Sequence, residues 1–324
     1  MESMNGKHKE MKRRKNIYAV SGYLLAIVLL SGATTGCSDD GRSYPPDNRE
    51  IVLQSLTAAD PGVSEGTGNT SGLSAGDTLF FAKGTASGSY GDTWKARLEE
   101  AGRTKLLEMH YYPSDNSAIY LRGYRPAAAS SAGNLLHYML DGSQDLLLSG
   151  EQSGRLTDMF WQEAKSFRFE HLLTQLRFEV KADSTAREKG LALQLLEIAG
   201  SRPAAVLDTE KGELSFNGEP GLITVYSRKD DTEAIRPDTL FTAVPGRVTV
   251  EPGAGLFLTL RTRDAEGRET SYEHMPVVFH SAGGLSEAGV SYLLRVTLDS
   301  RTGPRLGAEV TPWGQGDNGN GIIQ

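Results

Sequence analysis

From Glu50 onward the chain is cut into short apolar or alternating runs, each closed within a few residues by Gly, Pro, Asn, Asp or Ser. This punctuation is the strongest constraint on the fold. A strand can be built from four to eight residues, whereas a packed helix needs about 10 to 12. The runs fall at residues 50–57, 78–82, 106–112, 118–124, 145–148 and 167–180, then at 191–198, 206–207, 213–216 and 222–226. They continue at 239–243, 247–250, 255–262, 272–279, 290–298 and 308–313. Many short strands at roughly 10-residue spacing, with turn residues between them, predict an all-β chain of sandwiches.

Local chemistry adds detail. Pro113-Ser114-Asp115-Asn116 is turn chemistry, so 106–112 and 118–124 are expected to form a hairpin. Residues 127–144 read as loop, and 58–76, rich in Gly, Ser, Thr, Asp and Asn, read as a long loop. Within 167–180, Phe167, Phe169 and His171 share one parity, while Leu172, Leu176, Phe178 and Val180 share the other. That switch predicts a bulge or a short helical jog near residues 171–174. The run 191–198 is expected to pair back across the polar turn 183–190, with a helix as its competitor.

The N-terminus follows a different rule. Lys12, Arg13, Arg14 and Lys15 form a basic block, an apolar core follows at 23–30, and small residues lead to Cys37. This is the order of a secretory signal peptide. The apolar core is too short to span a bilayer, which takes about 20 residues. Met11 stands directly before the basic block and, with Met1 and Met4, is a candidate start. Cys37 is the chain's one cysteine, so it has no internal disulfide partner. Its place at the end of the leader predicts a lipid-modified N-terminus that holds the protein on a membrane without a spanning helix. The expected organisation is a leader over 1–36, a tether over 37–49, and two sandwiches over 50–163 and 164–324. Ser38, Asp39 and Asp40 resemble the acidic export signal of surface lipoproteins of the Bacteroidetes type.

Charge and motif content narrow the function. The full chain carries a net charge of −7; loss of 1–36 removes six basic and two acidic side chains and takes it to −11. A nucleic-acid binder needs a basic face, so nucleic acid is not an expected partner. The histidines, at 8, 110, 137, 171, 274 and 280, form neither HxxxH nor HExxH, and zinc has no cysteine partner among them. His171 reads as a hydrogen-bonded core histidine. The spellings GxSxG at residues 72–76 and GxGxxG at residues 314–319 fall in Gly-rich segments read as loop and tail, without the strand-turn-helix setting of a nucleophile elbow or a dinucleotide fold, and a Walker pattern is missing. Residues 314–321, GQGDNGNG, lack the spacing and terminal Glu of a calcium loop. Glu99-Glu100 and Asp230-Asp231 read as solvated turns. No catalytic residue, metal or cofactor is therefore expected, and the chain is expected not to be an enzyme. Trp94, Trp161 and Trp313 read as packing residues, with a glycan platform as the other reading.

Several segments together resemble the fimbrillin family. Tyr111-Tyr112-Pro113 through Tyr124-Arg125-Pro126 resembles its aromatic-Pro turn feeding a strand. Asp145-Leu146-Leu147-Leu148 resembles its short D-L-x-x strand. Phe169-Glu170-His171-Leu172-Leu173-Thr174-Gln175-Leu176-Arg177-Phe178 resembles its F-x-H-x-L-(S/T)-x-L-x-F segment. Residues 289–298 and Val310-Thr311-Pro312-Trp313-Gly314 resemble its C-terminal strands. The resemblance implies two transthyretin-like β-sandwich domains in tandem. It also implies a structural subunit of a surface pilus or fimbria, exported as a lipoprotein to the outer membrane and supporting adhesion. Its implied partners are other fimbrial subunits, the outer membrane through the lipid, and host or bacterial surface ligands.

In that family, assembly resembles strand donation: a first strand leaves, and a neighbour's strand fills the groove. The physical logic is that an emptied seat exposes unpaired N–H and C=O groups beside an apolar trench, and an incoming strand satisfies both. Here the removable strand would carry Ile51, Val52, Leu53 and Leu56, and the donor would carry Val310, Trp313, Ile322 and Ile323. One departure stands out. Stalk subunits of the family are cut after an arginine just past the first strand, yet 58–76 holds no Arg or Lys; Arg42, Arg49 and Lys83 are nearest. That points to another protease or to a terminal subunit, an anchor or a tip. The rival class is a surface lipoprotein that binds glycans or host ligands and never polymerises.

Overall fold

The computed structural model describes residues 49–57, 73–228, 242–281, 283–299 and 303–311. Nearly every run of inward-facing apolar residues is a strand, and the described helix of longest span, α1 (Ser184–Glu188), has five residues. The strands of the first half are β1 (Leu53–Thr57), β2 (Thr78–Gly84), β3 (Asp92–Leu98), β4 (Arg103–Leu106) and β5 (Ile119–Arg125), then β6 (Ser130–Ala132), β7 (Leu135–Met139), β8 (Leu147–Gly154) and β9 (Phe167–His171). After them come β10 (Thr174–Ala182), β11 (Ala192–Ala199), β12 (Ala204–Asp208), β13 (Glu213–Asn217), β14 (Leu222–Ser227) and β15 (Thr242–Val250), then β16 (Phe257–Arg263), β17 (Glu269–Pro276), β18 (Ser291–Leu298) and β19 (Arg305–Thr311).

Seven strands close on themselves in the order β1-β4-β3-β2-β5-β8-β9. Each of the seven sends at least one apolar side chain into a shared core, from Ile51 and Leu53 beside and on β1 to Phe167 and Phe169 on β9. The aromatic rings set the spacing. Phe81 meets Phe167 edge-on at 4.9 Å between centroids, a preferred geometry for paired quadrupoles. Gly123 on β5 leaves room for them: a Cβ there would clash with Phe169 Cζ and stand 2.9 Å from its Cε1.

The remaining strands build a two-layer sandwich and a small bridging sheet. The sheet β15-β10-β18-β19 faces β14-β11-β16-β17 across a second core. Leu176, Phe178 and Leu294 come from one layer, and Leu196, Ile198 and Leu260 from the other. Central β10 and β18 run parallel over eight register pairs, from Gln175–Ser291 to Ala182–Leu298. The β12–β13 hairpin returns to the first half and pairs with β7, giving the sheet β13-β12-β7-β6. A third core, with Tyr124, Tyr138, Leu148 and Leu207, lies beneath that sheet.

Several expectations need correction. The expected hairpin 106–112/118–124 does not form, because β4 ends at Leu106 and pairs with β3 and β1, while β5 pairs with β2 and β8. The span 127–144 is not all loop; it holds the β6–β7 hairpin, and β7 takes its second partner from β12, far along the chain. The run 191–198 is a strand, but β11 pairs with β14 and β16 and not back onto β10. The parity switch near 171–174 is neither bulge nor helical jog. It marks the step from β9 in the closed sheet to β10 in the sandwich, which reverses the inward side. The described end of the run 239–243, residues 242–243, and the run 247–250 lie in one strand, β15; residues 239–241 lie outside the described residues.

Candidate strand-exchange site

The candidate site is the seat of β1. Alternation puts Ile51, Leu53 and Ser55 inward, all buried, while Val52 and Gln54 are half-buried. β1 is the strand that closes the seven-stranded sheet. Its left neighbour is β4, antiparallel, with Leu53 opposite Thr104 and Gln54 opposite Arg103. Its right neighbour is β9, parallel, with Ser55, Leu56 and Thr57 in register with Phe167, Arg168 and Phe169.

The two ladders are staggered. Leu53 and Gln54 pair on one side and Ser55 to Thr57 on the other, so no residue of β1 appears in both registers. The entry to the strand is also tied. Ile51 donates its N–H to His110 O at 2.8 Å, and Tyr112 donates to Arg49 O at 2.8 Å. Tyr112 is itself buried, and its phenol is pushed up to about 12 by that burial. Its hydroxyl oxygen accepts the Phe160 N–H at 2.7 Å. Taking β1 away would leave β4 and β9 as two facing edges, each with unpaired backbone groups, beside the apolar side chains that now cover Leu53.

Ser55 is the anomaly of the seat. It is 1% exposed, and among the described residues its hydroxyl has no hydrogen-bond partner. An unpaired buried hydroxyl costs about 1–3 kcal/mol. Parity with Ile51 and Leu53 marks Ser55 as inward in the sequence, but not as unpaired.

At the other end, β19 is an edge strand on β18, paired from Ser291–Thr311 to Thr297–Arg305. Ala308 is buried, whereas Val310 is 58% exposed and in register with Tyr292. Arg295 reaches from β18 to Glu309 on β19 and to Glu179 on β10, bracing the edge with partly exposed ion pairs. Cys37, Trp313, Ile322 and Ile323 lie outside the described residues, and Leu56 is placed by its backbone register alone.

Other sequence candidates have structural explanations. His171 Nδ1 stands 2.9 Å from Asp145 Oδ1, the hydrogen bond expected of a core histidine. Trp94 is 7% exposed and stacks on His110 at 4.0 Å, so it offers no open platform. Trp161 is half-buried, with its N–H on Met159 Sδ. Among the described residues, no three His, Cys, Asp or Glu side chains are grouped as a metal site.

Fold and seat together define an all-β module whose first strand is the closing element of a sheet. The fimbrillin-like family model matches residues 66–313, and the chain belongs to that family. The match begins beyond β1. Solved structures share the fold. A candidate cell adhesion protein from Bacteroides uniformis is 22% identical with a TM-score of 0.58, over 83% of this chain and 100% of its own. One from Bacteroides ovatus is 13% identical with a TM-score of 0.54, over 85% and 100%. One from Parabacteroides distasonis is 9% identical with a TM-score of 0.56, over 84% and 99%. No curated protein matches the sequence.

Proposed function

We propose that the chain is a structural subunit of a cell-surface fimbria that supports adhesion, and that it acts by assembly rather than catalysis. In this reading it consists of two tandem transthyretin-like sandwiches, is exported as a lipoprotein, and is held at the outer membrane through Cys37. Subunits join by strand exchange: β1 occupies an acceptor seat until a neighbour's C-terminal strand replaces it. The observation that carries the reading is the position of β1. It closes a sheet between two otherwise complete edges, and its removal would create a groove that only another strand can fill. Family membership supports the fimbrial role, and β19, an edge strand at the last described residues, supports the C-terminal segment as donor.

The test is the protein taken from the cell surface. Heat-sensitive ladders on gels, together with the N-terminal mass, separate the cases. A new N-terminus within 58–77 marks a released, polymerising subunit; a lipidated Cys37 inside a ladder marks an anchor. A strictly monomeric protein that keeps β1 in every preparation contradicts assembly by strand exchange.

A further inference from the structure

We infer that β1 is a deliberately poor occupant of its own seat, and that the seat prefers an incoming strand with a nonpolar residue where Ser55 now stands. This deepens the strand-exchange reading and rests on it, since it specifies the chemistry of the strand that the seat selects. Two independent observations carry it. The first is the stagger of the ladders: each residue from Leu53 to Thr57 is registered to a neighbour on one side only. Compare β10, whose residues from Gln175 to Val180 are registered to both β15 and β18 over most of their length. The second is the orphan hydroxyl of Ser55, buried in the inward row begun by Ile51 and Leu53.

The physical consequence is selectivity. A buried hydroxyl without a partner loses its water and gains nothing in return, so an occupant lacking that group binds more tightly. The preferred ligand is a single strand, antiparallel to β4 and parallel to β9. It carries apolar side chains at the positions of Ile51 and Leu53 and a small nonpolar one at the position of Ser55. The defect lowers the hold of the resident strand without loosening the rest of the core, where Phe81, Phe167 and Phe169 pack against one another.

The experiment uses the full chain with a protease recognition sequence inserted between residues 58 and 72, so that cleavage leaves β1 held by non-covalent contacts. Two fluorescent peptides compete for the seat: a copy of residues 50–57 and the same peptide carrying Ser55→Ala. The Ser55→Ala peptide is expected to displace β1 at about tenfold lower concentration. If both peptides exchange with equal affinity, strand exchange stands and the role of Ser55 is overturned. If neither enters the cleaved, folded protein, the exchange reading fails and takes this inference with it. In the uncut chain, Ser55→Ala should slow hydrogen exchange of the β1 amides by a similar factor; unchanged exchange contradicts the inference.

Discussion

Ser55 stands in register with Phe167 across the parallel β1–β9 ladder, at the point where the first strand leaves its partnership with β4. One residue earlier the chain is paired to one side, one residue later to the other. That hand-over makes β1 the closing piece of the sheet, each of its residues registered to a neighbour on one side.

Leu53 is the main apolar anchor of the strand, at 1% exposure. Leu53→Ala should cost about 2–5 kcal/mol of stability, because it opens a cavity in a packed core. Val310, 58% exposed on β19, is the contrast. Val310→Ala in the monomer should change stability by less than about 0.5 kcal/mol. Urea denaturation of both variants checks the pair, and similar losses would contradict the burial assigned to Leu53.

Gly123 tests the aromatic packing behind the seat. A Cβ there meets Phe169 and comes within 3.1 Å of Phe81 Cε1. Gly123→Ala should destabilise the protein by about 1–3 kcal/mol through overpacking. The loss should shrink when Phe169→Leu is added, a coupling that a double-mutant cycle reads directly.

His110 gives the fold a pH signature. Burial holds its imidazole below the ordinary value of 6.5, with Lys83 acting in the same direction and Glu108 and Asp92 opposing. Between the folded value and 6.5 the unfolded chain binds more protons, so stability falls as pH drops through that window. A melting series from about pH 7.5 to 5.5 should show this decline, and His110→Phe should flatten it. The carboxylates held low, such as Glu151 and Asp183, lose their contribution only at lower pH. An unchanged slope in His110→Phe would show that other groups set the pH response.

Arg122 ties the bridging hairpin to the closed sheet. Its Nε–H donates to Ser149 O at 3.0 Å, and Nη1 donates to Thr209 O at 2.8 Å and Glu210 O at 3.1 Å. Arg122→Ala should cost about 1–3 kcal/mol and raise hydrogen exchange at Val206 and Leu207 before other strands respond. Uniform exchange across the protein would mean that the hairpin does not open as a unit.

The legibility of this chain tracks the locality of its signals. β10 and β18 stand out in the sequence because Leu176, Phe178 and Val180 alternate cleanly with charged residues in β10 and apolar residues dominate β18. β3 does not, since Trp94, Ala96 and Leu98 face inward between outward Lys95 and Arg97, and half of the strand looks like loop. β6 and β7 are a short local hairpin with little apolar pattern, and β7 takes its second ladder from β12, far away in sequence. The same division holds at the seat. Ile51 and Leu53 are readable from alternation, whereas the partners Thr104 and Phe167, and the unpaired state of Ser55, depend on contacts between distant segments.

The central claim is that a strand from one copy can occupy the β1 seat of another. Cysteine cross-linking reads it most directly, because Cys37 is the chain's one native cysteine. Thr104→Cys in the seat wall and Ile323→Cys in the candidate donor, introduced together and expressed on cells, should give a disulfide-linked ladder of subunits under oxidising conditions. A band at the monomer mass alone, from surface-exposed and folded protein, would contradict assembly through this seat.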